Sequence, residues 1–337
     1  MTAGMLLIQR AGNVVVQDLG RPGYASLGIP PNGASDQHAA RTANTLVGNA
    51  DRAPLVEITG SELALRSESQ ALVSVTGAAD HVLLDGHRQP AWETLVVHAG
   101  SRLVVPVPTT GLRTYLAVNG RLDAESVLGS VSPDPLLGVG RPLGSGGALT
   151  FRSRYETLPA GHHAPLFRLG PPRTGSPSTT EVDVTEGPDL DRMTLGRACL
   201  DHAYEVSPQS NHVGLRLLGP QPEQISTQEI LSRGVPVGAV EVPPGGGIII
   251  LLRGRLVTAG YPVIAVVTTD SLDRLGQARP GDQVRIRFCD NAAARIRLRT
   301  ARAQHEQLAT RVRTALTASG LAHIIDPHHG IDRKGPG

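Results

Sequence analysis

The sequence predicts a mainly β protein with two tandem β-rich domains, a few short helices and a C-terminal helix. Its 337 residues suggest about two domains on length alone. Glycine and proline are abundant, at 39 and 26 residues, while aromatic residues make up only 3% of the chain. Short runs of Val, Leu and Ile are separated by turn signals roughly every 8–12 residues. This pattern is typical of sandwiches and barrels.

The first half of the chain shows one helix among many strands. The apolar runs at 5–9 and 14–18 flank an Ala-Gly-Asn turn sequence and predict a β-hairpin. Ser35 or Asp36 can cap a helix that ends near residue 47. Further short strands are predicted at 63–65, 72–75, 82–84, 95–97, 103–105 and 115–118.

The second half of the chain also shows many short strands and few helices, and a predicted domain boundary separates it from the first half. Residues 129–147 are rich in glycine and proline and predict a surface loop, and the proline-rich stretch 158–181 predicts the domain boundary. Asp189 can cap a helix over 189–202, and Asp270 can cap a shorter helix. Strands are predicted at 215–218, 239–242, 248–252, 263–268 and 283–288. The predicted domains are therefore 1–157 and 182–290, followed by a tail over 291–337.

The tail carries apolar residues at helical spacing with arginines between them. We expect a helix that packs this stripe on the body of the protein. A contact with a partner or a second copy is the alternative, and nucleic-acid binding by the arginines is a third. Beyond Asp326 the sequence predicts disorder.

Composition excludes several classes of protein. A net charge of +2 gives no electrostatic basis for a nucleic-acid binder. The longest aliphatic run, 248–252, is too short to span a membrane, and no export signal is evident, so we expect a cytoplasmic protein. Cys199 and Cys289 cannot form a disulfide framework, and we expect Cys199 to be a packing residue. The histidine pairs at 162–163 and 328–329 lack further ligands at metal-binding spacing, so no metal site is predicted.

Lys334 is the only lysine among 32 cationic residues. The body of the fold therefore has no lysine for a Schiff base or a phosphate-binding loop. Lys334 lies in Asp-Arg-Lys-Gly rather than between methionines, so we expect that biotin is not covalently attached to this chain.

Two glycine- and proline-rich turns, within residues 17–24 and 28–36, present polar side chains close together. Arg21, with neighbouring amides and carboxylates, suits a small substrate that carries a carboxylate or an amide. The alternative is an ion pair of Arg21 with Asp18 or Asp36 that holds the two loops.

These residues, together with 43–49 and Glu57, resemble the start of the biotin-dependent carboxyltransferase family. That family includes allophanate hydrolase subunit 2, the C subunit of 5-oxoprolinase, the KipI-antagonist proteins and part of urea carboxylase. The resemblance covers about residues 5–290 and implies two cyclophilin-like β-barrel domains with a site in the cleft between them. Further matching segments are 76–78, 113–118, 128–130, 140–143, 214–217, 242–245, 260–262 and 279–282.

The chain also departs from the family pattern. Asn32 stands where relatives usually have serine, and His212 lies where they have an arginine. Glu241 replaces a glutamine before Val-Pro-Pro, and Leu256 replaces another glutamine. These changes leave the substrate open.

The candidate site residues fall into three chemical groups. The carboxylates and the histidine are candidate acid/base groups, arginines are candidate anion holders, and the remaining polar side chains are candidate hydrogen-bonding groups. His212 as an ordinary loop histidine and Glu241 in an ion pair with Arg216 are the alternatives. The candidates are Asp18, Asp36, His212 and Glu241 as catalytic residues, and Gln17, Arg21, Asn32, Asn44, Arg113, Arg216, Thr258 and Tyr261 as substrate-binding residues.

The resemblance implies a subunit of an enzyme that processes a small amide or lactam, by ATP-dependent hydrolysis or by carboxyl transfer. A smaller partner of the KipI and allophanate hydrolase subunit 1 family would complete the site. The sequence lacks a phosphate-binding loop, so ATP would be shared with that partner. The alternative is a non-catalytic regulatory binding protein of the KipI-antagonist type.

Overall fold

The computed structural model describes residues 2–155, 165–171, 173, 178–226 and 228–330, and strands predominate among them. The chain divides into two compact units. Unit 1 comprises residues 1–20, 37–174 and 302–337, and unit 2 comprises residues 21–36 and 175–301. The prediction of a mainly β fold with few helices is confirmed. Half of the predicted boundary at 158–181, including the histidine pair at 162–163, lies outside the described residues.

Unit 1 contains two antiparallel sheets and one helix between β2 and β3. The seven-stranded sheet has the order β11-β12-β1-β4-β9-β6-β7, and the five-stranded sheet has the order β2-β3-β10-β5-β8. The elements are β1 (Thr2–Ala11), β2 (Val14–Gln17), α1 (Gln37–Leu46), β3 (Leu55–Thr59), β4 (Leu63–Ser67), β5 (Ala71–Gly77), β6 (His81–Leu84), β7 (His87–Pro90), β8 (Thr94–Val97), β9 (Arg102–Val105), β10 (Arg113–Val118), β11 (Arg121–Leu122) and β12 (Ala148–Ser153).

The predicted hairpin of the first two strands is wrong. β1 pairs with β12 and β4, whereas β2 pairs with β3 in the other sheet. At the turn sequence the backbone packs closely on Ser61, so closely that a Cβ on Gly12 would lie 2.5 Å from the Ser61 Cβ. The connection therefore carries the chain from one sheet to the other.

Helix α1 matches the predicted helix and is fixed to the five-stranded sheet by side-chain hydrogen bonds. Ser74 of β5 donates to the Ala43 carbonyl at 2.6 Å, and Thr76 donates to the Ala39 carbonyl at 2.8 Å. The alanines allow this close approach because they have small side chains. Gly48, with a φ of 79°, follows the helix.

The segment 129–147 is more than the predicted surface loop. Ser130, Ser132 and Asp134 are all buried within it. The Asp134 carboxylate accepts from the backbone N–H of Leu136 at 2.9 Å, and the Asp134 backbone pairs with Val139. Polar side chains here are buried because they bond to backbone and to other side chains, a feature that composition does not reveal.

Unit 2 contains a closed seven-stranded barrel in the order β13-β20-β17-β18-β15-β14-β21. Parallel pairing of β13 with β21 joins the first and last strands of the barrel. Alternate side chains such as Leu215, Val240 and Ile250 fill its core. The elements are β13 (Thr179–Glu186), β14 (Ala203–Val206), β15 (Gly214–Leu218), β16 (Arg233–Gly234), β17 (Ala239–Glu241), β18 (Ile248–Leu251), β19 (Thr258–Ala259), β20 (Val263–Val267), α2 (Thr269–Leu275), β21 (Gln283–Phe288) and, continuing into unit 1, α3 (Asn291–Ala318).

The predicted helix over 189–202 is wrong. The segment forms two short 3-10 helices, Leu190–Arg192 and Gly196–Leu200. The Asp189 carboxylate caps neither of them, because it accepts hydrogen bonds from Arg233 and from the backbone N–H of Val263. The second predicted helix is present as α2, with Thr268 rather than Asp270 at its N-cap.

The C-terminal helix α3 is confirmed, and its second half packs on the rest of unit 1. Leu308, Val312 and Leu316 are buried in a cluster with Leu46 and Leu72. This packing is the predicted one. The arginines between these positions remain on the other faces of the helix.

The predicted disorder beyond Asp326 is not found at residues 327–330, whereas residues 331–337 lie outside the described part. His329 is fully buried, and its Nε2 lies 2.9 Å from the Thr45 carbonyl oxygen. Nε2 therefore donates to this carbonyl, while Nδ1 is buried without a hydrogen-bond partner. Desolvation lowers the pKa of His329, and nearby Arg313 and His305 act in the same direction, while the Thr45 bond and Asp51 oppose them.

We expect His329 to make the docking of the tail sensitive to acid. Its lowered pKa means that the folded state resists protonation, so its contribution to stability is present above about pH 6.5 and is lost as the pH falls below that value. Between pH 7 and pH 5 the melting temperature should therefore fall more for the native chain than for His329→Gln, whose amide can still donate to Thr45. His328→Gln, at the exposed neighbour, is the control and should behave as the native chain.

Candidate functional site

The loop of residues 21–36 is held tightly within unit 2. The Arg21 backbone N–H donates to the Pro31 carbonyl at 2.7 Å, and the Asn32 N–H donates to the Arg253 carbonyl at 3.0 Å. At the end of the loop, Gln277 donates to the Asp36 carboxylate at 2.7 Å. Arg21 is 1% exposed and Asp36 is fully buried. Both side chains are therefore buried.

The structure brings Asn32 and His212 together at Gly254. A Cβ on Gly254 would lie 2.4 Å from the His212 Cδ2 and 3.2 Å from the Asn32 Oδ1. The Gly254 N–H also donates to the His212 carbonyl at 3.1 Å. Asn32 has a φ of 50°, the left-handed region that asparagine tolerates better than most residues. Only glycine at 254 leaves room for both side chains.

Glu241 ends β17 on the outer face of the barrel. It lies opposite Ile249 of β18 and Val263 of β20, whereas the adjacent Val240 belongs to the core. The residue is 2% exposed, and its Oε1 has no hydrogen-bond partner. Burial raises the pKa of Glu241 from 4.5 to about 7. Near neutral pH this carboxyl is therefore present in both its protonated and its ionised form.

The alternative ion pair of Glu241 with Arg216 is wrong. Arg216 of β15 also lies opposite Ile249, so the two residues share one row but are two strands apart, about 9–10 Å. Arg216 is exposed, while Glu241 is buried. Across the described residues, Glu241 takes part in no ion pair.

Arg255 is a buried cation close to the same face of the barrel, and the sequence analysis did not identify it. It is 7% exposed, its Nε donates to the Val235 carbonyl at 3.0 Å, and its Nη1 has no partner. Desolvation lowers its pKa. Val235 packs in an apolar cluster with Ile249 and Val263, the residues opposite Glu241. With 31 arginines in the chain, nothing in the sequence singles this one out.

Thr258 and Tyr261 follow Arg255 along the chain. Thr258 lies in β19 opposite Gly234, and both Thr258 and Tyr261 are exposed, Tyr261 by 41%. The N–H of Val242, the neighbour of Glu241, donates to the carbonyl of Pro262, the neighbour of Tyr261, at 3.1 Å. Glu241, Arg255, Thr258 and Tyr261 are together called the Glu241 site. In this site Glu241 and Arg255 are buried, whereas Thr258 and Tyr261 are exposed. Glu241 lies opposite Val263 and Arg255 donates to the Val235 carbonyl, and these two valines belong to one apolar cluster.

The remaining candidates lie in unit 1. Asp18 is buried and accepts four hydrogen bonds, from the hydroxyls of Ser130 and Ser132, both at 2.6 Å, and from the N–H groups of Gly20 and Val131 at 2.7 and 3.0 Å. These bonds fix the loop that follows residue 129. The carboxylate is therefore engaged on both oxygens.

Gln17, Asn44 and Arg113 are also buried in unit 1. The Asn44 amide donates to the carbonyls of Asp51 and Ala53 and accepts from an asparagine side chain, so it organises the end of α1. The Arg113 Nε lies 4.0 Å from the Glu57 carboxylate. The Gln17 Oε1 has no hydrogen-bond partner.

Three further features of the described residues concern metal-binding groups, a cysteine thiol and membrane-spanning helices. Among the described residues, no group of three or more His, Cys, Asp or Glu side chains is arranged to hold a metal ion. Cys199 is buried in the barrel core, and burial raises the pKa of its thiol, in line with the predicted packing role. No described helix is long and apolar enough to cross a membrane.

Comparison with known proteins identifies relatives that match most of the chain. It is 33% identical to the C subunit of 5-oxoprolinase from Escherichia coli over 318 residues, which cover 91% of this chain and 99% of the relative. Urea amidolyase of Saccharomyces cerevisiae is 29% identical over 292 residues, which are 80% of this chain but only 16% of that enzyme.

A solved structure and a family model identify the same group of relatives as the sequence comparison. The crystal structure of the K. lactis urea amidolyase matches 86% of this chain and 19% of that chain, with a TM-score of 0.78 and 26% identity. The family model for the carboxyltransferase domain, subdomain A and B, matches residues 27–288, well over half of the chain. The protein therefore belongs to the family of carboxyltransferase domains with subdomains A and B.

Proposed function

We propose that the chain is a subunit of an enzyme that acts on a small lactam or amide, with 5-oxoproline as the favoured substrate. The observation that carries this proposal is the similarity to the C subunit of 5-oxoprolinase along 99% of that relative. The urea amidolyase relatives are matched over 16% of their length, so carboxyl transfer to urea is the less favoured reaction.

The chemistry of the Glu241 site supports an amide or lactam substrate. Attack on an amide carbonyl places negative charge on its oxygen, and preorganised donors in a dry site stabilise that charge. The Arg255 Nη1 is such a donor, since it is buried and without a partner. The O–H of protonated Glu241 can donate to the carbonyl of an amide, and its other oxygen can accept from the amide N–H. We propose that Glu241 holds the substrate in this neutral form.

Residues outside this site support binding in other ways. His212 and Asn32 meet at Gly254, next to Arg255 in the chain, where they can bind the substrate or exchange a proton with it. Asp18 and Asp36 are held in hydrogen bonds, so we propose that they position loops rather than transfer protons.

We propose that ATP is shared with a smaller partner subunit of the KipI and allophanate hydrolase subunit 1 family. When bound, ATP supplies phosphoryl activation of the carbonyl. The orphaned N–H of Arg255 fits an anionic oxygen, and the described residues include no lysine, so this chain would contact a phosphate group through arginine. Biotin is not attached to this chain in the proposal, because Lys334 does not lie between methionines.

Co-expression with the smaller subunit tests the proposal. We expect one species in size-exclusion chromatography, and release of ADP that depends on 5-oxoproline and not on urea. Each subunit alone is the control and should turn over far more slowly. An intact complex that hydrolyses no ATP with any small lactam or amide would contradict the enzyme and favour the regulatory alternative.

A further inference from the structure

Unit 1 contains a cavity of about 380 Å³ that plays no part in the proposed function. Three arginines line it, Arg52, Arg121 and Arg154, together with the carboxylates of Asp18 and Asp326. Its volume lies within the range of small-molecule sites. The cavity walls therefore carry more positive than negative charge.

Neither carboxylate is bound directly to one of the three arginines. Both oxygens of Asp18 accept hydrogen bonds from the loop after residue 129, and Asp326 accepts from the N–H of His328 at 2.7 Å. Within the described parts of the chain, none of the three arginines forms an ion pair with a carboxylate. Three arginines against two carboxylates leave an excess of positive charge at the cavity, which a bound anion would offset.

Two of the guanidinium groups are held in place by the backbone. Arg52 donates to the Gly20 carbonyl at 2.6 Å, and Arg154 donates to the Ile325 carbonyl at 3.2 Å. Each guanidinium keeps further N–H donors, because five are available and these bonds use one. Arg121 is exposed, and all of its donors are available to a ligand.

The remaining wall is apolar and includes Ala53, Pro54 and Val131. An inorganic ion would leave this surface without contacts, whereas an organic molecule would cover it. We propose that the cavity binds a small organic anion, whose carboxylate or phosphate group contacts the three arginines and whose carbon skeleton contacts the apolar wall. Guanidinium groups bind both kinds of anionic group in the same forked geometry.

Calorimetric titration of the purified full chain tests this site without the partner and without turnover. Glutarate is the carboxylate probe and glycerol 3-phosphate is the phosphate probe. We expect at least one of them to bind with a dissociation constant below about 1 mM. Loss of a charge-assisted hydrogen bond in Arg121→Ser should weaken that binding by about 10-fold or more. The probe that binds more tightly identifies the anionic group.

Arg66→Ser removes a solvent-exposed arginine of β4, outside the cavity, and is the matched control. It should bind the probe as the native chain does, and both variants should melt at the native temperature. The proposal is overturned if neither probe binds, or if the two variants weaken binding equally. Failure of the 5-oxoproline assay leaves these results unaffected, since no step of catalysis is measured.

Discussion

Glu241→Gln is expected to stabilise the protein by about 2–3 kcal/mol at pH 8 and to change its stability little at pH 4. A folded-state pKa of about 7 against the ordinary 4.5 means that the native state retains a proton that the unfolded state has released. The free energy of unfolding of the native chain therefore decreases as the pH rises from 4.5 to 7 and then levels off. Glutamine has no charge and should remove this decrease.

Thermal unfolding of the native chain and the variant at several pH values from 4 to 8 measures the effect. Glu205→Gln, at an exposed position in β14, is the matched control and should change stability little. Equal pH profiles for the native chain and Glu241→Gln would show that the Glu241 carboxyl is not desolvated.

The same variant separates two roles that Glu241 could have in the proposed complex. If neutral Glu241 binds the substrate, the Glu241→Gln variant should turn over as fast as the native chain at pH 7 and below. As the pH rises above 7, turnover should fall less for the variant than for the native chain. An acid/base residue would instead lose turnover by about 100-fold or more in this variant. Because the variant is expected to be stable, such a loss could not be ascribed to unfolding.

Asp18→Ala is expected to destabilise unit 1 by about 3 kcal/mol. The substitution leaves two serine hydroxyls and two backbone N–H groups without their acceptor, and each of these donors is in a buried environment. The loop after residue 129 should also exchange its amide hydrogens faster. Thermal unfolding and hydrogen exchange measure the two effects.

Asp123→Ala is the control for this prediction. Its carboxylate is half exposed and lies 3.8 Å from Arg152, and exposed ion pairs of this kind contribute about 0–1 kcal/mol. The structural role of Asp18 would be refuted if both alanine variants melted at the same temperature. The melting temperature of Asp18→Asn should lie between those of the two alanine variants, because its amide oxygen can still accept some of these hydrogen bonds.

The sequence predicts five of the seven barrel strands of unit 2, because each of these five is a short apolar run bounded by glycine, proline or polar residues. The strands β13 and β14 are not predicted. The predicted runs at 215–218 and 283–288 match β15 and β21 to within a residue. Pairing is harder to predict. β1 and β2 look like a hairpin locally, but each has a better partner elsewhere in the chain. Asp189 resembles a helix cap, but tertiary contacts with Arg233 and Val263 engage its carboxylate.

The candidate site is predictable in part. Asn32, His212 and Glu241 attract attention because they depart from the family pattern, and the structure places all three in unit 2. Burial is the property that the sequence does not show. The raised pKa of Glu241 and the unpartnered N–H of Arg255 both arise from strands and loops that are distant in sequence. The burial of Asp18 within a set of four donors has the same origin.

The division of the chain has a consequence for its synthesis. Unit 2 needs residues 21–36 and also β21, which pairs with β13, so its barrel cannot close on the ribosome before residue 288 has emerged. Unit 1 in turn includes residues 302–337, so its buried His329 is made only after all of unit 2. Neither unit can therefore finish folding while the chain is still short. A premature stop codon after residue 300 would leave the Leu46 and Leu72 side chains uncovered by α3, and the truncated product should be a substrate for proteases.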